Sequence, residues 1–240
     1  MKIGVLAAGI SPEELIDQHG SYADMVVNLL KTTGQSFEYE IFDVRLDDFP
    51  EDLDAFDGWA ITGSKNNVSE QLPWMLKLEQ LILDAKAKGQ PMVGICFGHQ
   101  IIAHALGGKV DRYQGGWGIG QHEYKVVGDW AFNEDEAETL LINAVHQDQV
   151  VEKPAQAELL ATSDFCENAA LVYDGFAITF QAHPEFNNDY EEDLIVVRKG
   201  NTFPEDLSDD AISGLHKPSA KPDSKKIAGW LASFLLSNRK

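Results

Sequence analysis

Cysteine is scarce in this chain. Two in 240 residues, Cys96 and Cys166, cannot brace a disulfide scaffold, and neither stands in a CxxC pair or a His/Cys cluster of zinc-binding spacing. Positive charge is also in short supply. Nineteen Lys and Arg face 39 Asp and Glu, and the formal charge of −20 argues against nucleic acid or an anionic membrane as a partner. No apolar run approaches the roughly 18 residues that a membrane span requires. The apolar opening from Met1 to Ile10 is short and runs into Ser11-Pro12-Glu13-Glu14 without a small-residue cleavage pattern. It reads as a first core strand rather than a leader. Internal repeats, low-complexity tracts and a Gly-x-x-x-x-Gly-Lys-Ser/Thr phosphate loop are all missing. With 44% hydrophobic residues, the chain is globular and long enough for one α/β domain with a full core. A reducing cytoplasm is the expected setting, where a free thiol survives.

The order of patterns predicts alternating strand and helix. Lys2–Ala7, Phe37–Phe42, Trp59–Thr62 and the run opening at Pro91 read as strands. Tyr22–Lys31 and Leu72–Lys88 carry apolar residues at helical spacing, and Gly89 ends the second of these helices. Short apolar strands alternating with helices imply a parallel sheet covered on both faces, with ligands outside the carboxyl ends of its strands. From Lys109 to Phe180 the pattern changes. Short runs recur with few helices, at Gly120–Val127, Leu141–Val145, Leu159–Ala161, Ala170–Tyr173 and Ala177–Phe180. They suggest a small antiparallel or mixed extension. Helices are expected at Asp189–Val197 and Lys225–Leu236, with Thr202–Asp223 polar and irregular between them. The whole chain reads as one domain, residues 187–240 forming a C-terminal helical extension.

Chemistry concentrates at Gly94-Ile95-Cys96-Phe97-Gly98. An apolar run ends on a cysteine with glycines two residues to either side, and a helix-like segment follows at once. That is the pattern of a nucleophile elbow with Cys in place of Ser. The glycines supply room for a sharp strand-to-helix turn, and the helix N-terminus favours a thiolate. Alone, the same pattern fits a buried structural cysteine. Gln181-Ala182-His183-Pro184-Glu185 follows another strand-like run and supplies the missing types, an imidazole as base and a carboxylate to orient it. Cys166 lacks the elbow and reads as a small packing residue.

The chain here resembles the class I (triad) glutamine amidotransferases. The resemblance rests on Gly94-Ile-Cys96-Phe-Gly98-His-Gln100 and Gln181-Ala-His183-Pro-Glu185. It extends to Ala60-Ile-Thr-Gly63-Ser64, to His146-Gln147-Asp148-Gln149-Val150 and to Gly20-Ser-Tyr-Ala-Asp-Met25. The last two look most like the stand-alone, GMP-synthase-like branch that includes γ-glutamyl peptidases. The resemblance implies a flavodoxin-like α/β fold and a triad of Cys96, His183 and Glu185. It places oxyanion donors at Phe97 and around Gly63-Ser64, and substrate contacts at Gln100, at the Gly116-Trp117 turn and near His146. It implies no metal and no organic cofactor. Many members carry Gly-Gly-Pro where this chain has Gly63-Ser64-Lys65, and a non-glycine at 64 restricts the peptide flip that completes the oxyanion hole. Lys65 reads as a solvated lysine or a cation near the pocket. His99 and His104, on the helix after Cys96, read as packing or locally bonded residues; His19, His122 and His216 are left to surface or core.

Three functions remain open. The first is a hydrolase that cuts the side-chain amide of glutamine through a γ-glutamyl thioester and passes ammonia to a separate synthetase. The second is a stand-alone γ-glutamyl peptidase using the same triad. The third is a binding or regulatory module that keeps the fold without catalysis. A small-molecule substrate is common to the first two, and the oligomeric state is not legible.

Overall fold

A computed structural model describes residues 1–239. Strand β1 (Lys2–Leu6) is followed by α1 (Glu13–His19), α2 (Tyr22–Lys31), β2 (Glu38–Phe42), β3 (Gly58–Ile61), α3 (Pro73–Lys88), β4 (Met92–Ile95) and α4 (Phe97–Ala105). Then come β5 (Lys109–Arg112), β6 (Gly118–Val126), β7 (Thr139–His146), β8 (Asp148–Glu152), β9 (Ala157–Thr162), β10 (Ala170–Tyr173) and β11 (Ala177–Phe180). Helices α5 (Asn188–Arg198), α6 (Glu205–Leu215) and α7 (Ser224–Asn238) complete the chain.

One nine-stranded sheet runs in the order β2-β1-β3-β4-β11-β10-β9-β6-β7. Its first five strands are parallel neighbours, as the alternating pattern predicts. From β11 onward every pairing is antiparallel. The extension is thus a continuation of the central sheet, and only β5 and β8 stand apart as a two-stranded ribbon. Side chains alternate across the parallel half. Ile3, Val5, Ala60, Val93 and Ile95 pack under α2 and α7, while Leu6, Trp59, Ile61 and Met92 pack under α3 and α4. Helices cover both faces, as expected.

Local chemistry sets the element ends. Ser21 and Asp24 form a reciprocal capping box that starts α2, Pro73 sits in the first turn of α3, and Gly89 closes α3 at φ +67°. Asn187 caps α5 by accepting from Tyr190 N–H at 2.8 Å.

The expectation of an irregular stretch over Thr202–Asp223 is corrected by α6. Its acid-rich sequence masks an apolar stripe, Leu207, Ala211, Ile212 and Leu215, at helical spacing. That stripe packs with Ile119, Ile195 and Phe203, and Pro204 with Glu205 and Asp206 supplies a favourable N-terminus. Helix α1 and the ribbon strands β5 and β8 were likewise not expected. Each is short, and little in its own sequence marks it.

Candidate active site

Three neighbouring parallel strands, β3, β4 and β11, end side by side, and the expected residues follow directly on them. Gly63 lies two residues past β3, Cys96 one past β4 and His183 three past β11. Cys96 holds φ +51° and ψ −103°, a conformation that L-residues avoid. Such strain persists only where surrounding structure enforces it. Here Cys96 N–H donates to Phe180 O at 2.8 Å, and its C=O accepts from Gln100 N–H at 3.0 Å. The two glycines make the bend possible. A Cβ on Gly94 would stand 2.7 Å from Gly98 O, and one on Gly98 would stand 2.4 Å from Ile61 O.

The thiol, the imidazole and the carboxylate converge. A Cβ on Gly63 would lie 2.9 Å from His183 Cε1 and 3.7 Å from Cys96 Cβ, so both side chains meet at that backbone. His183 Nδ1 and Glu185 Oε1 are 2.8 Å apart, and both side chains are buried. The bond engages Nδ1 and leaves Nε2 for another partner. The ring stacks on Phe186, centroids 4.0 Å apart and planes 7° from parallel. His183 N–H donates to Asn143 O of β7 at 2.8 Å, which ties the loop to the antiparallel half. Burial alone would drive the His183 pKa down, but the Glu185 carboxylate and the Cys96 sulfur outweigh it and hold the pKa well above the ordinary value. Cys166 is the contrast: buried near Phe165 without such partners, its thiol is pushed up to about 12 by desolvation.

The other expected residues take varied places. Phe97 is the first residue of α4, its ring buried on Trp74 at 5.5 Å, and its N–H belongs to the helix turn that lacks internal acceptors. Ser64 lines the cavity, and its hydroxyl accepts from Asn66 N–H at 3.1 Å. Gly9 packs so tightly beneath this turn that a Cβ there would stand 2.4 Å from Gly63 O. Gln100 also lines the cavity, but its amide nitrogen donates to Asp148 O (2.9 Å) and Gln181 Oε1 (3.1 Å). It fixes the position of Asp148. Trp117 walls the cavity and packs edge-on against Phe203 at 5.0 Å. Gly116, at φ +93°, forms the turn that delivers Trp117. His146 lines the cavity against the edge of Phe165, and burial pushes its imidazolium down to about 3. His99 is similarly held near 3, bonded to Thr179 at 2.8 Å, and His104 meets Glu79 at 2.9 Å. Both have local roles, as read from the sequence. His19 and His216 pair with Asp193 and Glu192, and His122 packs edge-on against Phe165.

The cavity is about 370 Å³, within the range of small-molecule sites. Among its walls are residues that sequence reasoning missed: Arg112 from β5, Arg198 from the end of α5, and Thr202 and Phe203 just beyond. Tyr22, from the Gly20–Met25 segment, is a further wall residue. Lys65 is exposed at the rim. The walls carry three cations, Lys65, Arg112 and Arg198, against one carboxylate, Asp148. The cavity is therefore locally positive within a chain of charge −20. Among the described residues, no helix is long and apolar enough to cross a membrane.

The chain has relatives among known proteins. The family model for "Glutamine amidotransferase class-I" matches residues 14–199. A glutamine amidotransferase-like protein of Schizosaccharomyces pombe is 30% identical over 98% of both chains. Gamma-glutamyl peptidase 2 of Arabidopsis thaliana is 29% identical over 93% of this chain and 91% of its own. A crystal structure of a glutamine amidotransferase from Thermotoga maritima superposes with a TM-score of 0.74 at 23% identity, covering 98% of this chain and 97% of the other, and so shares the fold.

Proposed function

This chain belongs to the glutamine amidotransferase class-I family, and on that footing we propose that it is a cysteine hydrolase of γ-glutamyl amides, glutamine being the simplest. The observation that carries the proposal is the meeting of Cys96 and His183 at Gly63, with Glu185 2.8 Å behind the imidazole. Relatives are named as gamma-glutamyl peptidases and as glutamine-hydrolysing GMP synthase subunits, which supports the same bond as the target.

The reaction runs in two acyl transfers. His183 takes the thiol proton, and the thiolate attacks the amide carbon of the γ-carboxamide. Charge on the amide oxygen is met by the Phe97 N–H and by the backbone turn at Gly63-Ser64. The C–N bond breaks as imidazolium returns its proton to the nitrogen, and the amine leaves. A water, deprotonated by His183, then attacks the γ-glutamyl thioester, and glutamate departs as the thiol is reprotonated. Glu185 fixes the ring tautomer and stabilises the imidazolium at both stages. The raised pKa of His183 supports its role as the base that takes and holds the proton the thiol gives up.

Two leaving groups fit this chemistry. With glutamine the product is ammonia, which a separate synthetase would consume; the chain carries no phosphate-loop motif with which to activate an acceptor itself. With a γ-glutamyl peptide the product is an amino compound. The reading as a peptidase is favoured by the size of the cavity and by walls that extend to Arg198, Thr202 and Phe203. A cytoplasmic location would keep Cys96 reduced.

The test is release of glutamate from glutamine and from γ-glutamyl dipeptides by the purified chain, with ammonia followed in parallel. Cys96→Ser is expected to lower turnover by at least about 10³-fold with little change in thermal stability. Wild-type rates in that variant would refute the assigned nucleophile.

A further inference from the structure

The cavity walls contain more charge than a glutamine substrate uses. The α-amino acid head of any γ-glutamyl compound is a zwitterion, one carboxylate and one ammonium. Arg112 and Asp148 match it. They sit opposite each other in the β5–β8 ribbon, Arg112 Nε 3.6 Å from Asp148 Oδ1. Gln100 anchors the Asp148 backbone, and the ribbon leads from Arg112 into the Gly115–Trp117 turn. Between them the pair carries one charge of each sign, the electrostatic complement of a head group of zero net charge.

Lys65 and Arg198 are left over; Lys65 is exposed at the rim, which leaves Arg198 as the unpaired cation of the wall itself. It lines the same cavity half-buried, and among the described residues no carboxylate pairs with it. Its neighbour Lys199, by contrast, is paired with Asp209. The C-terminal pole of α5 favours a cation at this position but leaves the planar fork of guanidinium donors unused. Its backbone is tied into a tight turn. Arg198 O accepts from the N–H groups of Asn201, Thr202 and Phe203 at 3.2, 2.9 and 3.1 Å, winding the turn that brings Thr202 and Phe203 into the same wall. Phe203 is pinned in turn by Trp117 and by its packing with Leu215 of α6. Thr202 and Phe203 lie beyond residue 199, where the family match ends.

We propose that Arg198 is a specificity-determining residue that binds a second carboxylate, carried by the departing amine. The preferred substrates are then γ-glutamyl amides of amino acids or peptides, which carry one more negative charge than glutamine. The proposal rests on the γ-glutamyl hydrolase reading and names its substrate class.

The test compares γ-glutamylglycine with γ-glutamylethylamide, which replaces only the leaving-group carboxylate by a methyl, and with glutamine. Glutamate release gives kcat/KM for each with wild type, Arg198→Met and Arg198→Lys, after thermal melts establish that the variants are folded. Wild type should favour the dipeptide over the ethylamide by roughly 10- to 100-fold, the worth of one charge-assisted hydrogen-bonded pair. Arg198→Met should erase that preference through KM on the dipeptide alone, leaving the ethylamide within about twofold, and Arg198→Lys should keep part of it. Equal turnover of dipeptide and ethylamide by wild type, or an equal loss on both in Arg198→Met, would overturn the assignment while leaving the hydrolase reading intact. No turnover of any of the three by wild type would overturn both.

Discussion

The floor of the cavity and its rim are built by different means. The floor is backbone. Gly63, Cys96 and His183 follow the ends of three adjacent parallel strands, the spaces between them exclude a Cβ, and Cys96 holds a φ of +51°. The rim is side chains. Arg112, Trp117, Arg198 and Phe203 arrive from a two-stranded ribbon, a glycine turn and the α5–α6 connection, with Trp117 and Phe203 packed on each other and Arg112 paired with Asp148. Geometry enforced by backbone tolerates few residues, so it fixes the reaction. Geometry enforced by side chains can change without disturbing the sheet, so it sets the choice of substrate.

The largest expected effect breaks the floor. Gly63→Ala would put a Cβ 2.9 Å from His183 Cε1, and the ring cannot retreat because Glu185 and Phe186 hold its other sides. Turnover should fall by about 10²-fold or more, seen as a loss in kcat on every substrate alike. A variant with unchanged kcat would mean that the imidazole is free to move.

A smaller effect is expected at the rim. Trp117→Ala removes a wall and the partner of Phe203. KM should rise by about tenfold while kcat stays within about twofold, as expected when binding to ground state and transition state is weakened equally. A fall in kcat with KM unchanged would place Trp117 in the floor.

The difference between the two regions also explains what could be read from the sequence. The elbow and the His-Pro-Glu turn were legible because close backbone approach demands glycine at 94 and 98 and a fixed order of residue types around them. The parallel half of the sheet was legible because both faces are buried, which gives short apolar strands between amphipathic helices. Arg112 and Arg198 left no signal. Nothing in a lone arginine marks it as facing a cavity, and the elements that aim these two were a short unexpected strand and a helix end. Helix α6 was missed because six of its eleven residues, Glu205, Asp206, Ser208, Asp209, Asp210 and Ser213, are polar, and its apolar stripe gains meaning only against Ile119 and Phe203. Gln100, a substrate contact by resemblance, lines the cavity with its amide nitrogen committed to Asp148 and Gln181, a pairing the sequence does not announce.

The smallest effect on activity, and a separate one on stability, is expected outside both floor and rim. Glu191 of α5 is fully buried, accepts from Gly120 N–H at 2.8 Å, and is pushed by desolvation from 4.5 up to about 8. Its folded pKa is raised, so the native state holds a proton that the unfolded chain has released between those values. The stability this contributes is complete below pH 4.5 and is lost as pH rises through about 8. Glu191→Gln keeps the acceptor and removes the charge, so it should flatten the decline in Tm across that window, the stability recovered at its upper end being on the order of a few kcal/mol. Activity should stay near wild type. A variant whose Tm falls with pH as steeply as wild type would assign the decline to another group.

The central claim is that one of two buried cysteines is activated by its surroundings and the other is not. Its most direct test is labelling with a γ-glutamyl analogue that carries an electrophilic carbon in place of the amide carbon, followed by peptide mass mapping. The account predicts a single adduct on Cys96, absent in His183→Asn, and none on Cys166, whose thiol sits near 12. An adduct on Cys166, or glutamine turnover without any adduct on Cys96, would contradict it.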